Sequence, residues 1–287
     1  MAPSPEKPVR SLDPAEVERL VRDGAVRVLD VRNPDEFTGL GHIPGALLLP
    51  VDLIASAPAT LPPSDVPLVI CCEHGVRSVH AARYLGRAGF ENVFNMAGGM
   101  SCWKGPRDFA MVDGYAVAGP SSWLVENADL LPRGGRTLDL ACGSGRHALL
   151  LASAGFDVRA VDVDPSKIAS LRALAARLGL TLEAEVVDLE AGGADLGDAA
   201  YDLVIGIHYL HRPLFPPILA ALKAGGVLLY ETFSVAQAAR GRPTNPAFLL
   251  EHGELRRLVA PLEILRERDG TFDGRSVAGV IARKTTG

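Results

Sequence analysis

Two stretches of this 287-residue chain combine reactive residue types with a spacing that suits chemistry. The first is Cys72-Glu73-His74-Gly75-Val76-Arg77-Ser78. An apolar run over 68–71 precedes it and a helical pattern over 78–87 follows, so the stretch is a strand-to-helix loop. N–H groups of such a loop converge at a helix N-terminus, where an anion is favoured. With Arg77 nearby, that field favours the Cys72 thiolate. A thiolate ringed by donors can attack a sulfane sulfur, hold it as a persulfide and pass it on. Cys72 and Arg77 are therefore the expected catalytic pair. Glu73, His74, Gly75, Val76 and Ser78 form the anion loop, with Glu73 and His74 placed to tune the substrate.

The second stretch is Leu138-Asp-Leu-Ala-Cys-Gly-Ser-Gly-Arg-His-Ala148. A strand over 137–140 enters a small-residue turn, and a helix over 147–154 leaves it. Gly143 and Gly145 lack a Cβ, so a flat cofactor can lie against the main chain. Asp139 stands at a strand end, as do Asp162 and Asp188 further on. Ligands of open α/β sheets bind at those ends. An acid about twenty residues after the glycine turn suits ribose hydroxyls, which selects Asp162. Asp188 can accept from an adenine amino group. A dinucleotide is the rival ligand, but the pattern is Asp139-x-Ala141-x-Gly143-x-Gly145, not GxGxxG. The acid ahead of the turn repels a pyrophosphate and suits the cationic amino-acid end of S-adenosylmethionine (SAM). Ala141, Cys142, Val163 and Leu189 complete the expected cofactor site. His208, Tyr209, His211 and Arg212 follow a buried strand over 202–207, and Arg240 and Arg242 sit in a loop long enough to cover it. These six are the expected acceptor-binding residues. Methyl transfer needs mainly alignment, with little acid or base help.

The elements that position these residues alternate strand and helix throughout, which implies parallel sheets. In the first half, a capped helix starts at Asp13-Pro14 and stops at Gly24. Strands follow over 26–31, 47–49, 68–71 and 93–95. Gly105-Pro106, Gly114 and Gly119-Pro120 interrupt any periodicity, so 108–120 reads as a linker. A helix over 123–131 is expected beside the second sheet. Strands over 158–162, 182–187, 202–207 and 227–230 then alternate with helices over 165–178, 214–221 and 253–258. Strands over 263–268 and 276–282 close the sheet as a hairpin, linked through residues 269–274.

The Cys72 loop resembles the active-site loop of rhodanese-type sulfurtransferases. Asp30-Val-Arg32, Glu36-Phe37, Gly41-His-Ile-Pro-Gly-Ala46, Gly89-Phe90, and Gly98-Gly-Met100 before Trp103 stand in that family's order. The resemblance covers about residues 10–105 and implies sulfurtransferase activity. A phosphatase reading counts Cys-x5-Arg from Cys71, but that places the nucleophile inside the strand and Gly75 at the wrong offset. Counting from Cys72 gives the shorter loop, a cradle sized for sulfur. The second half resembles class I SAM-dependent methyltransferases: Asp139 to Gly145 matches their first motif, and Asp162, Asp188 and Leu222-Lys-Ala-Gly-Gly226 match later ones. Ala141 stands where many members have glycine. Within that class the chain resembles the tellurite-resistance branch, through Ala141-Cys-Gly-Ser-Gly-Arg-His147, Tyr209-Leu-His-Arg-Pro-Leu-Phe215, Glu231-Thr-Phe233, Arg240-Gly-Arg-Pro-Thr-Asn-Pro246 and Glu254-Leu255. That resemblance spans roughly 120–284. It implies small chalcogen acceptors: thiols, hydrosulfide, selenite or tellurite.

The expected architecture is α/β in two domains. A rhodanese-like domain spans 10–107, and a Rossmann-like methyltransferase domain spans 121–287, mostly parallel with a closing antiparallel hairpin. Net charge is −5, with −1 over residues 1–107 and −4 over 108–287, so neither half has the basic balance of a nucleic-acid binder. No apolar run is long enough to span a bilayer. Residues 1–8 carry no apolar core and read as a disordered lead rather than a secretory signal. The four cysteines, Cys71, Cys72, Cys102 and Cys142, include no CxxC pair, so no metal is expected and a cytoplasmic setting is. Cys71 is expected to be buried, Cys102 to pack beside Trp103, and His42 to bond structurally. The expected partners are a small sulfur donor and a small methyl acceptor. The functional expectation is a bifunctional enzyme, with Cys72 persulfide chemistry coupled to SAM-dependent methylation. Two alternatives stand beside it: a methyltransferase regulated by a non-catalytic rhodanese-like sensing module, and an RNA or protein methyltransferase.

Overall fold

The computed structural model describes residues 9–109, 119–192 and 194–286. The expected disordered lead over 1–8, and most of the expected linker, lie outside the described residues. By contacts the chain divides into two compact units after Glu126, with Ala176–Leu180 grouped with the first.

The first unit runs β1 (Arg10–Leu12), α1 (Pro14–Arg22), β2 (Arg27–Asp30), α2 (Pro34–Gly39), β3 (Leu47–Leu48), β4 (Leu68–Cys71), α3 (Val76–Arg87) and β5 (Val93–Met96). Its sheet has the order β1-β5-β4-β2-β3, all parallel. All four residues of β4 are buried. A parallel strand covered on both faces reads as a continuous apolar run for this reason. The cap of α1 is as expected: Asp13 accepts the Ala15 N–H at 2.9 Å and Pro14 occupies the first turn. Several features differ from expectation. β1 is an additional edge strand, in register with β5 so that Ser11 lies opposite Asn95. The helix α3 starts at Val76, two residues early, because left-handed Gly75 (φ +83°) turns the chain straight into it. The unit continues past Arg107, since His42 and Asp108 exchange backbone hydrogen bonds at 3.0 and 2.8 Å. In place of one helix over 123–131 there are α4 (Ser122–Glu126) and a 3₁₀ turn, Ala128–Leu130. The chain leaves helical geometry between them at Asn127.

The second unit runs β6 (Arg136–Leu140), α5 (Arg146–Ser153), β7 (Asp157–Asp162), α6 (Pro165–Arg177), β8 (Glu183–Val186), β9 (Tyr201–Ile207), α7 (Phe215–Ala221), β10 (Leu222–Phe233), α8 (Glu254–Leu258), β11 (Glu263–Phe272) and β12 (Arg275–Arg283). Its sheet has the order β11-β12-β10-β9-β6-β7-β8. The strands from β10 to β8 are parallel, and β12 is antiparallel to both neighbours. From β6 the chain builds outward through β7 and β8, then returns to place β9 on the other side of β6. The order therefore reverses between β6 and β9, and such a switch point opens a crevice at the strand carboxyl ends. Pro216-Pro217 do not interrupt α7. They lie in its first turn, where no N–H is needed. The closing hairpin is tighter than expected: the strands run on to Phe272 and Arg275. Asp273 (φ +50°) and Gly274 (φ +73°) alone make the turn, as a two-residue primed turn requires. Leu138, Leu140, Val204, Leu228, Tyr230 and Val280 from the central strands, with Phe215 and Ile218 from α7, form the core that fixes the switch point.

Candidate active sites

Cys72 is the first residue after β4 and is 1% exposed. The Gly75 N–H donates to its Sγ at 3.2 Å and the Ser78 N–H at 3.4 Å, while Ser78 Oγ lies at 3.3 Å. Ser78 N–H belongs to the first turn of α3, whose N–H groups have no partner within the helix. The opposing carbonyls are turned away. Cys72 O accepts from the Met100 N–H at 2.8 Å and Glu73 O from the Ser101 N–H at 2.9 Å. That approach needs Gly99 (φ +64°), since a Cβ there would stand 2.2 Å from Cys72 O. The result is a sulfur that two backbone N–H groups point at and from which the nearby backbone carbonyls are turned away, which stabilises negative charge on it.

The other loop residues divide by what they touch. Arg77 makes no hydrogen bond to Sγ. Its two Nη atoms donate to Glu36 Oε2 and Oε1 at 2.7 and 2.5 Å. That bidentate pair holds the Glu36 carboxyl down at about 2. Arg77 thus ties α3 to α2 and meets Cys72 through its charge rather than through a hydrogen bond. Glu73 accepts from Arg32 Nη1 at 2.8 Å. Arg32 is fully buried and also grips Asp30 through Nε and Nη2 and Gly41 O through Nη2. Glu73 is therefore an anchor that fastens the loop to the end of β2. His74 is exposed, with Nδ1 3.4 Å from Ser101 Oγ, and Val76 is exposed. Burial pushes the Cys71 thiol up, so it stays protonated. His42 bonds Phe37 O and stacks on the Phe37 ring, a structural role.

The SAM-type site fits the residues present. Asp139 is 1% exposed, and its Oδ2 has no hydrogen-bond partner. Burial raises its pKa to about 7, against the opposing field of Arg146. A buried carboxylate oxygen left open is what a ligand ammonium satisfies. Gly143 (φ +58°) has nothing within 4 Å of where a Cβ would stand, so the main chain there is open to a ligand. Asp162 braces this turn: Oδ2 accepts the Gly143 N–H at 2.8 Å and Oδ1 the Asp164 N–H at 3.0 Å. Each oxygen keeps a second lone pair for a ribose hydroxyl. Val163 is 61% exposed, an apolar surface beside the ribose acid that an adenine ring would cover. Asp188 is exposed, and its Oδ1 accepts the Glu190 and Ala191 N–H groups at 2.9 and 3.2 Å. Leu189 is buried next to it. Ala141 holds a left-handed conformation (φ +49°), which leaves the turn strained where a glycine would not be. Cys142 stays a thiol, because burial raises its pKa well above the usual range. Gly145 differs from Gly143. A Cβ there would stand 2.3 Å from the Leu171 side chain, so it serves contact with α6 rather than approach of the cofactor.

The expected acceptor residues are not all brought together. Register places Gly206 opposite Leu140 and Ile207 opposite Glu231, so His208 follows between the glycine turn and Phe233. His208 is left-handed (φ +60°), donates its N–H to Glu231 O at 2.8 Å, and stacks on Phe233 at 4.7 Å. Burial, with the charges of Arg146, Arg275 and Arg268, lowers its pKa to about 3. Tyr209 Oη is buried without a hydrogen-bond partner. Burial, with the charges of Glu190 and Asp188, raises its pKa. Arg212 is committed elsewhere: it grips Glu254, Ala247 O and Leu249 O. Arg240 Nε donates to Ser276 Oγ at 3.0 Å, and Arg242 O accepts from Gln237 Nε2 at 3.0 Å; both arginines are exposed. His211 is half-buried ahead of α7. Sequence reasoning missed Arg146, Arg268 and Arg275 as the cations around His208, and Glu231 as the buried partner of Arg268 (Nε to Oε2, 2.6 Å). One signal was available, because Glu231 ends an apolar strand just as Asp139 and Asp162 do. Among the described residues no group of three His, Cys, Asp or Glu is placed to hold a metal ion, and no helix is long and apolar enough to cross a membrane.

Comparison with known proteins agrees with this geometry. Residues 13–106 match the rhodanese-like domain family and residues 137–226 a methyltransferase domain family. The chain is 37% identical over 93 residues to thiosulfate sulfurtransferase GlpE of Pseudomonas paraeruginosa, covering 31% of this chain and 79% of that protein. It is 36% identical over 137 residues to hemagglutinin 1 of Eikenella corrodens, covering 46% of this chain and 45% of that protein, so it spans less than half of that relative's length. Among solved structures, TehB from Haemophilus influenzae aligns with a TM-score of 0.45 at 22% identity, over 52% of this chain and 57% of that one. Through its first unit the chain belongs to the rhodanese-like family, and its second unit, a Rossmann-like sheet, matches a methyltransferase domain family over residues 137–226.

Proposed function

We propose that the chain is an enzyme of sulfur or chalcogen metabolism with two sites. Cys72 takes up sulfane sulfur, and the second unit methylates a small, soft or anionic acceptor. The observation that carries this reading is the donor-lined Cys72 sulfur in one unit together with an open, unpartnered Asp139 carboxylate oxygen in the other. Thiosulfate is the donor named for the GlpE relatives, and it suits the cradle. The Cys72 thiolate attacks the outer sulfur of thiosulfate. A new S–S bond forms at Cys72, the original S–S bond breaks, and sulfite leaves with the electron pair. The Gly75 and Ser78 N–H groups hold the charge that remains on the persulfide. A thiol acceptor then takes the sulfane sulfur and frees the thiolate.

In the second unit, Asp139 would hold the ligand ammonium, Asp162 the ribose hydroxyls and Asp188 the adenine amino group, with Val163 and Leu189 against the ring. Bound SAM supplies a methyl group made electrophilic by its sulfonium. His208 stays neutral at physiological pH and is a weak base, poorly matched to removing a proton. The acceptor therefore arrives already anionic or as a soft nucleophile: a thiolate, hydrosulfide, selenite or tellurite. The charges of Arg146, Arg268 and Arg275 favour such an anion near His208. Coupling follows if the persulfide now on the thiol meets a second thiol: the two thiols join in a disulfide, the S–S bond to the sulfane sulfur breaks, and the hydrosulfide that leaves with the electron pair becomes the methyl acceptor. All four cysteines are free thiols, which suits a reducing, cytoplasmic setting.

A second reading has one observation in its favour. Arg77 is spent on Glu36, which suits a first unit that senses persulfide without turning it over. Thiosulfate and cyanide assayed for thiocyanate separate the two. Turnover that disappears in Cys72→Ser supports the enzyme; no turnover by the native chain leaves the sensor. For the second unit, a SAM-dependent methylation screen over thiols, hydrosulfide, selenite and tellurite decides the acceptor. Product from RNA or protein alone would overturn the small-acceptor reading.

A further inference from the structure

Behind Cys72 runs a line of uncharged side chains that sulfur transfer as described does not use. Ser78 Oγ lies 3.3 Å from Cys72 Sγ and 2.6 Å from Asn95 Oδ1. Asn95 Nδ2 in turn donates to Ser11 Oγ at 3.0 Å. Ser78 and Asn95 are buried, at 0% and 3% exposure, whereas Ser11 is exposed on the edge strand β1. The parallel register of β1 and β5 sets Ser11 directly opposite Asn95.

The distances give the direction of each bond. A separation of 2.6 Å belongs to an O–H donor and 3.0 Å to an N–H donor. Asn95 therefore turns its carbonyl to Ser78 and its NH₂ to Ser11. A serine hydroxyl has one proton to give. While Ser78 gives it to Asn95, Ser78 can only accept from Cys72, an arrangement that keeps a proton on the sulfur. For Ser78 to donate to a thiolate or persulfide, its hydroxyl must rotate away from Asn95.

We propose that Asn95, oriented by Ser11, competes with Cys72 for the Ser78 proton and so sets how much of Cys72 is thiolate at a given pH. Asn95 and Ser11 are positioning residues that act through Ser78. The proposal rests on Cys72 being the reactive sulfur, but not on its passing sulfur to any acceptor. Other groups also face the pocket. Asp30 and Arg32 lie at the end of β2 and the turn after it, with Glu73 on Arg32. Glu36 on α2 is paired with Arg77 on α3, Cys71 is on β4, and His74 is in the loop. All of these remain in place in the variants below, so their fields are common to every profile.

The test is the pH profile of Cys72 alkylation by iodoacetamide, followed at that residue by peptide mass spectrometry on the full chain. Asn95→Ala should free the Ser78 hydroxyl and move the profile down by about one pH unit, the size of one hydrogen bond to a charged group. Ser11→Ala, on the exposed edge, should move it the same way by less, because the Asn95 amide can then turn its NH₂ to Ser78. In a Ser78→Ala background neither change should move the profile. A profile in Asn95→Ala that is unmoved or raised overturns the proposal, as does an equal shift with and without Ser78. If Asn95→Ala does not fold, Ser11→Ala alone decides: a downward shift supports the proposal, and an unmoved or raised profile overturns it. Alkylation needs no sulfur donor, so the profiles decide the matter even for a chain that fails to turn over thiosulfate.

Discussion

Asp139→Asn should make the second unit more stable at alkaline pH while removing its affinity for SAM. In the free protein Asp139 is buried with an open oxygen, and its carboxyl is raised from the usual 3.8 to about 7. The unfolded chain then ionises this group first as pH rises. Stability is lost from pH 3.8 upward and levels off above 7. A displacement of that size corresponds to about 4 kcal/mol by pH 8, as an upper bound. Buried His147 and half-buried His208 act in the opposite direction. Their lowered pKa values remove stability as pH falls below 6.5. Because both histidines are present in each protein, the variant-minus-native difference isolates Asp139. That difference should be small near pH 4, grow through pH 7 and then stay flat. Both tryptophans, Trp103 and Trp123, precede residue 127, so tryptophan fluorescence reports the first unit. The second unit is better followed by native-state hydrogen exchange at β6 and β9, with calorimetric SAM titration beside it. SAM affinity in the native chain should fall about tenfold per pH unit below 7, and in the variant should be weak and flat. A variant that is less stable than native at pH 8 and still binds SAM would refute the reasoning.

Other outcomes follow from the same contacts. Arg32→Ala leaves the buried carboxylate of Asp30 without its partner and releases Glu73. It should cost about 3–5 kcal/mol in the first unit, read by tryptophan fluorescence in urea, and lower thiocyanate formation. Gly143→Ala meets open space, so beyond about 1–2 kcal/mol of left-handed strain it should act on SAM affinity, measured by calorimetry. Gly145→Ala collides with Leu171 and should lower the unfolding midpoint of the second unit by more than Gly143→Ala does. Gly99→Ala drives a Cβ onto Cys72 O; it should slow Cys72 alkylation at every pH by opening the cradle.

What the sequence made legible is the local part of each site. The Cys72 loop, the glycine turn and the acids at strand ends are contiguous patterns whose geometry follows from a strand meeting a helix. Short or long-range features were hidden for physical reasons. β1 is three residues long and exists through pairing with β5, so no periodicity announces it. Its Ser11 nonetheless holds Asn95 from the edge of the sheet. Arg32 was visible as part of a motif, but its grip on Glu73, 41 residues away, depends on how β2 and β4 lie side by side. The same limit explains Arg77, whose partner Glu36 sits on another helix, and Arg212, which reaches Glu254 rather than the acceptor side. The cations around His208 come from α5, β11 and β12, three separate stretches that only the mixed sheet brings together. The hairpin turn was set too long because Asp269-Gly270 resembles a turn in sequence; the strand passes through it, Gly270 being held opposite Val277.

The most direct measurement is a single-turnover transfer. The protein is loaded with thiosulfate radiolabelled at its outer sulfur, freed of excess donor, and given a thiol together with SAM. The expected result is a labelled, methylated sulfur product that appears as Cys72 loses its label, and none from Cys72→Ser. Label that leaves Cys72 only as hydrosulfide, with no methylated product while SAM is bound, would contradict the coupling of the two sites.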